Sequence, residues 1–194
     1  MTDPVVGYAK CAEAAVKAGV GIVQLRMKHV SREEILSEAR EVRRITLGTK
    51  TSFIVNDDPE IAAEVGADGV HVGQGDMSPE EVRSRFPELK IVGLSTHNLN
   101  QVVAANREPV DYIGVGPVYA TPTKEIPDPT LGLETMRLMI ETSCHPAVAI
   151  GGIDLNNLST VLKYGARNYA VVRAVCGNDE PYNVIKKLQN RFSN

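Results

Sequence analysis

The sequence predicts an α/β fold, a (β/α)8 TIM barrel with its first strand truncated. Three observations carry this expectation. Short apolar runs alternate strictly with longer segments of helical period, each run is apolar on both faces, and almost every run ends in glycine or a polar residue. Strands buried on both faces belong in a parallel sheet covered by helices. Two architectures meet that description, a doubly wound open sheet and a closed barrel. The nearly even spacing and the polar strand ends favour the barrel, whose active site collects at the carboxyl ends of its strands.

Taken in order, the stub "MTDP" ends as a strand-to-loop transition would, with Asp3 at a strand edge and Pro4 in the loop. Residue 1 is therefore expected at the very end of strand one. A helix-like segment follows near Tyr8 to Lys17. "GIVQLR" (21–26) reads as strand, and "SREEILSEAREVRRI" (31–45) as helix, opened by Ser31 with Glu34 three residues on, a capping-box pattern. The alternation continues with "SFIVN" before "DPEIAAEV", "GVHVG" before "SPEEVRSRF" and "KIVGLS" before "NLNQVVAAN". Then come "DYIGVG" before "LETMRLMIETS", "AVAIGG" before "DLNNLSTVLKYG", and "NYAVVRAV" before "EPYNVIKKLQNRF". Seven strands and about eight helices result.

At 194 residues the chain suffices for one sizeable core, and a single domain over residues 1–194 is expected. Hydrophobic residues at 43%, charged residues at 23% and a net charge of -3 describe an ordinary globular chain with no basic field. Nucleic acid and anionic lipid are thus poor partners, and a homo-oligomer is compatible with the composition. The first twenty residues lack the basic and apolar blocks of a signal peptide, and no run approaches the ~18 apolar residues of a membrane span. A cytoplasmic location is expected. Cys11, Cys144 and Cys176 are widely spaced, without a CxxC, and read as reduced thiols, mostly buried.

The chemistry-bearing residues lie at strand ends. They are Gln24, Arg26 and Lys28 in "QLRMK", Asn56 and Asp57 in "VNDD", and Asp76 in "HVGQGD". Further along come Ser95 in "GLSTH", then Thr121, Thr123 and Lys124 in "GPVYATPTK". Singly, each has a structural explanation: Asp57 as the cap of the helix in "DPEIAAEV", Asp76 as a turn residue, Arg26 or Lys28 as a solvated charge. Together at one barrel mouth they suggest more. Asp57 and Asp76, from consecutive strands, could hold one magnesium ion, which takes one or two carboxylates and completes its shell with water and phosphate oxygens. Arg26, Lys28 and Lys124 add positive charge, so the set suits a diphosphate. A second anion pocket is expected where Gly151 and Gly152 of "AIGGI" open a helix and Val172 and Arg173 follow at the next strand end. Such pockets recur in the last two loops of barrels. His71, inside "GVHVG", reads as a satisfied core histidine or one behind the site. His97 is open to either role, and His29 and His145 read as surface residues. No Ser-His-Asp, Cys-His or HExxH arrangement is present to support nucleophilic or zinc hydrolysis.

In their order and spacing, "QLRMK", "VNDD", "GADGVHVGQGD", "GLSTHN", "DYIGVGPVYATPTK", "AIGGI" and "AVVRAV" resemble the thiamine-phosphate synthase family, from Thr2 nearly to the end. The resemblance implies a barrel that joins 4-amino-5-hydroxymethyl-2-methylpyrimidine diphosphate to 4-methyl-5-(2-phosphoethyl)thiazole, giving thiamine phosphate and diphosphate. It further implies that Gln24, Arg26, Lys28 and Asn56 contact the pyrimidine diphosphate, and that Asp57 and Asp76 bind Mg2+. Ser95 and Lys124 would hold the departing diphosphate. Thr121, Thr123, Gly151, Gly152 and the Val172 to Arg173 backbone would surround the thiazole phosphate. Met27 stands where the family usually has Glu, and Arg173 where it usually has Ser. Two other readings share the fold: a thiazole tautomerase of the same superfamily, and a catalytically silent phosphate-binding barrel. A tautomerase has no leaving group to neutralise and so does not need the diphosphate set, whereas the silent barrel would bind the pyrimidine diphosphate with magnesium without turning it over.

Overall fold

The computed structural model describes residues 1–121 and 129–192. Its strands are β1 (Ile22–Leu25), β2 (Ser52–Asn56), β3 (Gly69–Val72), β4 (Ile91–Thr96), β5 (Tyr112–Val115), β6 (Ala147–Ala149) and β7 (Asn168–Tyr169). Its helices are α1 (Tyr8–Ala18), α2 (Arg32–Thr46), α3 (Pro59–Glu64), α4 (Pro79–Arg85), α5 (Leu99–Ala105), α6 (Gly132–Thr142), α7 (Leu158–Lys163), α8 (Arg173–Cys176) and α9 (Pro181–Phe192). All strand pairs are parallel, in the order β1-β2-β3-β4-β5-β6-β7, so each crossover moves one strand along. Among the described residues β1 and β7 do not pair with one another.

Local sequence accounts for the helix starts. Ser31 and Glu34 form the expected capping box: Glu34 N–H donates to Ser31 Oγ at 3.2 Å and Ser31 N–H to Glu34 Oε2 at 2.9 Å. Ser78 caps α4, with Pro79 in its first turn. Every residue of β3 and of β5 is buried, as strands covered on both sides require. Phe53, Ile54 and Val55 of β2 and Met136 and Met139 of α6 are sealed in the core.

Aspartates brace the amino-terminal end of the sheet. Asp68 accepts from Phe53 N–H at 2.7 Å and from Arg43 at 3.1 Å. Asp111 repeats the arrangement with Val92 N–H and Arg83, both at 2.6 Å. Each carboxylate ties a strand to a neighbouring helix at the face opposite the strand ends that carry the candidate residues.

Met1 stands beside β1 as the end of a strand would. Arg26 N–H donates to Met1 O at 2.9 Å and the Met1 nitrogen donates to Gln24 O, a one-residue parallel bridge. Val5 N–H donates to Cys176 O at 2.8 Å, so the stub runs from β1 toward α8.

Two boundaries differ from expectation. "NYAVVRAV" is strand only at Asn168–Tyr169, and Arg173 begins α8 instead of ending a strand. The cause is its neighbour: β6 stops at Ala149 because Gly151 and Gly152 turn to positive φ, 100° and 63°, leaving β7 nothing to pair with. Those glycines also do not open a helix directly. A turn closed by Asp154 N–H to Asn157 Oδ1 at 2.9 Å intervenes, and α7 starts at Leu158. Cys11 and Cys176 are buried free thiols, and Cys144 is an exposed one.

Candidate functional site

The carboxyl ends of the strands open on a cavity of about 1990 Å3 that continues through the sheet interior to Ile91, Asp111 and Pro146 at the opposite end. Gln24, Arg26, Asn56 and Ser95 line one side of it. Thr121, Gly151, Gly152, Val172 and Arg173 line the other, so both expected ligand sites share one space. Thr123 and Lys124 lie outside the described residues.

Lys28, Asp57 and Asp76 stand apart from the cavity wall and gather in the loops after β1, β2 and β3. Lys28 Nζ forms an ion pair with Asp57 Oδ2. Asp57 sits at φ 67°, in the left-handed region, immediately beyond the last residue of β2. A non-glycine residue held there carries a conformational cost that its surroundings must offset. The capping alternative for Asp57 does not hold. Asp58, the residue directly before Pro59, takes that role and accepts from Ile61 N–H at 2.8 Å, which leaves the Asp57 carboxylate for Lys28.

The turn reading of Asp76, in contrast, holds. Its Oδ2 accepts from Gly73 N–H at 2.7 Å, closing the turn after β3. Although Asp76 is exposed as a residue, its carboxyl is folded back onto that turn. Loss of solvent there pushes its pKa above the usual carboxylate range; the Gly73 hydrogen bond opposes the rise and the neighbouring Asp57 charge adds to it. Two neighbouring carboxylates with a single lysine paired to Asp57 suit a divalent cation, which would relieve their repulsion. Among the described residues no three His, Cys, Asp or Glu side chains converge, so such an ion would draw its remaining ligands from water or substrate oxygens.

His71 is buried with both ring nitrogens engaged, Nδ1 at 2.9 Å from Tyr112 Oη and Nε2 at 2.9 Å from Ser95 Oγ. A satisfied histidine behind the site is what its sequence context predicts. Tyr112 itself gives no sequence signal, because an aromatic residue opening an apolar run reads as core. His97 lines the cavity as well, with its Nδ1 2.7 Å from Gly116 O. His29 is exposed, and His145 is half-buried, its Nε2 3.1 Å from Ala105 O.

On the opposite side, Gly151 and Gly152 are required twice over. Both have positive φ, and a Cβ on Gly151 would lie 2.5 Å from Pro117 Cα, one on Gly152 2.7 Å from Tyr119 Cβ. The loop after β5 is therefore pressed against the loop after β6, held by Tyr119 N–H to Gly151 O at 3.0 Å. Val172 is the residue before α8, and Arg173 is exposed at its start.

Comparison with known proteins is consistent throughout. The family model for thiamine monophosphate synthase matches residues 3–175. The thiamine-phosphate synthase of Caldicellulosiruptor bescii is 41% identical over 90% of this chain and 78% of that protein. That of Persephonella marina is 42% identical over 95% of this chain and 88% of that protein. Among solved structures, the thiamine phosphate pyrophosphorylase from Pyrococcus furiosus superposes with a TM-score of 0.89 at 30% identity, covering 99% of this chain and 93% of that one. A 3-hexulose-6-phosphate synthase, TM-score 0.71 at 19% identity over 94% of each chain, shares the fold alone.

Proposed function

From the premise that this chain belongs to the thiamine monophosphate synthase family, we propose that it is the transferase that joins the aminopyrimidine diphosphate to the thiazole phosphate, releasing diphosphate. The observation that carries the proposal is the neighbouring pair Asp57 and Asp76, with Lys28 paired to Asp57, beside a cavity that holds Gln24, Arg26, Asn56 and Ser95. A tautomerase reaction expels no anion and has no use for that set. The chain acts as one domain over residues 1–194, in the cytoplasm, on small phosphorylated substrates, without nucleic acid or membrane. Among the described residues no helix is long and apolar enough to cross a membrane.

The bond broken joins a benzylic-type carbon to a diphosphate oxygen, and the aminopyrimidine stabilises the cation left behind. Diphosphate departs with the electron pair of that C–O bond, and the thiazole nitrogen then forms the new C–N bond to the cation. No protein nucleophile is needed. The protein positions two ligands and neutralises the leaving group. Asp57 and Asp76 would hold Mg2+, which supplies charge neutralisation on the diphosphate when bound. Arg26 and Lys28 add fixed positive charge, Gln24 and Asn56 orient the pyrimidine diphosphate, and Ser95 with Lys124 holds the departing group. Thr121, Thr123, Gly151, Gly152 and the Val172 to Arg173 backbone receive the thiazole phosphate.

The test is diphosphate release by the purified chain with both substrates and Mg2+, and with each of the three omitted in turn. Release that needs all three is the expected result. Release without the thiazole phosphate, or none from a folded sample, would overturn the assignment.

A further inference from the structure

Three polar side chains from three different strands are joined across the interior of the sheet: Tyr112 of β5, His71 of β3 and Ser95 of β4. We propose that they form a one-way hydrogen-bond chain, Tyr112 to His71 to Ser95, which leaves the Ser95 hydroxyl proton to be donated to an anionic oxygen in the cavity. Tyr112 and His71 are then positioning residues, acting on the ligand through Ser95. The proposal rests on the diphosphate reading of the same site.

The direction follows from counting protons. A phenol has one, a neutral imidazole has one, and a hydroxyl has one. An anionic oxygen in the cavity can only accept, so Ser95 gives it the hydroxyl proton and must itself accept from His71 Nε2. Burial acts against ionisation and holds the Tyr112 proton in place. That proton is left for His71 Nδ1, 2.9 Å away. An imidazole accepting at Nδ1 carries its proton on Nε2, and this N–H points at Ser95 Oγ, also 2.9 Å away. Ser95 has accepted, its own proton is unspent, and it faces the cavity. Hydrogen bonds from a hydroxyl to a charged oxygen are shorter and stronger than neutral ones, which is what a leaving group gaining charge calls for.

The neighbouring strands make room for the chain. A Cβ on Gly93 would stand 2.3 Å from Tyr112 Cζ and 2.4 Å from His71 Nδ1, and one on Gly114 would be 3.4 Å from His71 Cε1. Tyr112 is 9% exposed and His71 8%, so both polar groups have been taken out of water. A site needing only bulk would be filled more cheaply by apolar residues, since buried polar groups are costly unless fully satisfied.

Two measurements on the full chain test this. Nitrogen-15 NMR of labelled histidine should show His71 protonated at Nε2 and bare at Nδ1. The Nδ1–H form would overturn the proposal, because Ser95 would then have to give its proton to His71. Calorimetry with inorganic diphosphate and Mg2+ should show binding weakened about tenfold by Ser95→Ala, the scale of one charged hydrogen bond. Tyr112→Phe, which keeps the ring, should weaken binding in the same direction and add almost nothing to Ser95→Ala in the double variant. Fully additive losses, or no diphosphate binding by the wild type, would overturn it. Should Tyr112→Phe not fold, His71→Leu replaces it in the same cycle with the same expectation. Neither readout requires turnover. A chain that makes no thiamine phosphate yet shows the Nε2–H form and the non-additive cycle refutes the synthase assignment alone, and an Nδ1–H form in an active enzyme refutes this proposal alone.

Discussion

The carboxyl of Asp76 neighbours that of Asp57, one strand over, and Lys28 pairs with Asp57. Two like charges so placed are stable only while something positive stays with them. Asp76→Asn and Asp57→Asn should therefore each raise the magnesium concentration for half-maximal rate by roughly tenfold or more, the usual scale for damage to a metal site. Rates measured across a magnesium titration decide this. An unchanged requirement in both variants would move the ion elsewhere.

Burial of Tyr112 raises its pKa, so the folded chain keeps the phenolic proton at a pH where the unfolded chain releases it. The associated stability is fully present below the unfolded-state value of about 10, and is lost as pH climbs from there toward the folded-state value. Melting temperature should fall across this alkaline window in the wild type, and less steeply in Tyr112→Phe. Parallel curves would show that the group does not titrate differently on folding.

Asp111 holds Val92 N–H and Arg83 at the end of the sheet remote from the candidate site. Asp111→Ala removes both partners, and a loss of about 1 to 3 kcal/mol is expected. For a chain of this length each kcal/mol lowers the melting point by about 2–4 °C. Turnover at a temperature where the variant is folded should match the wild type.

Gly152→Ala meets Tyr119 Cβ at 2.7 Å and Ala120 O at 2.8 Å, from a backbone at φ 63°. The loop after β5 must shift, so the KM for thiazole phosphate should rise well before that for the pyrimidine diphosphate does. Equal rises in both would assign the glycine to folding.

Arg173 is exposed at the start of α8 and lines the cavity. If its charge assists the thiazole phosphate, Arg173→Ser raises that KM about tenfold or less, and does so most clearly at low salt. A lowered KM would show that the side chain crowds the site.

What was legible in the sequence was periodicity. Runs such as "GVHVG" and "DYIGVG" are apolar on both faces, and a parallel strand between two layers is the physical consequence; both are fully buried. Capping chemistry was equally local, as Ser31 with Glu34 shows. Choosing between adjacent aspartates required geometry, because only backbone placement separates Asp58, which caps α3, from Asp57, which pairs with Lys28. Where β7 ends depends on where β6 leaves the sheet, a property of a different segment. Tyr112 was illegible for the same reason: its partner His71 is 41 residues away in sequence.

The strands that carry the two halves of the site are unequally braced. Asn56 and Ser95 stand on β2 and β4, each flanked by two paired neighbours, while among the described residues β7, two residues long and just before Val172, pairs with β6 alone, and Gln24 stands on β1, which pairs with β2. Segments with few lateral hydrogen bonds open at the lowest free energy. Amide exchange should thus be slow at Asn56 and Ser95 and fast around Val172. Under the proposed assignment, the ligand that binds beside β7 meets an ordering cost that the one seated on β2 and β4 does not.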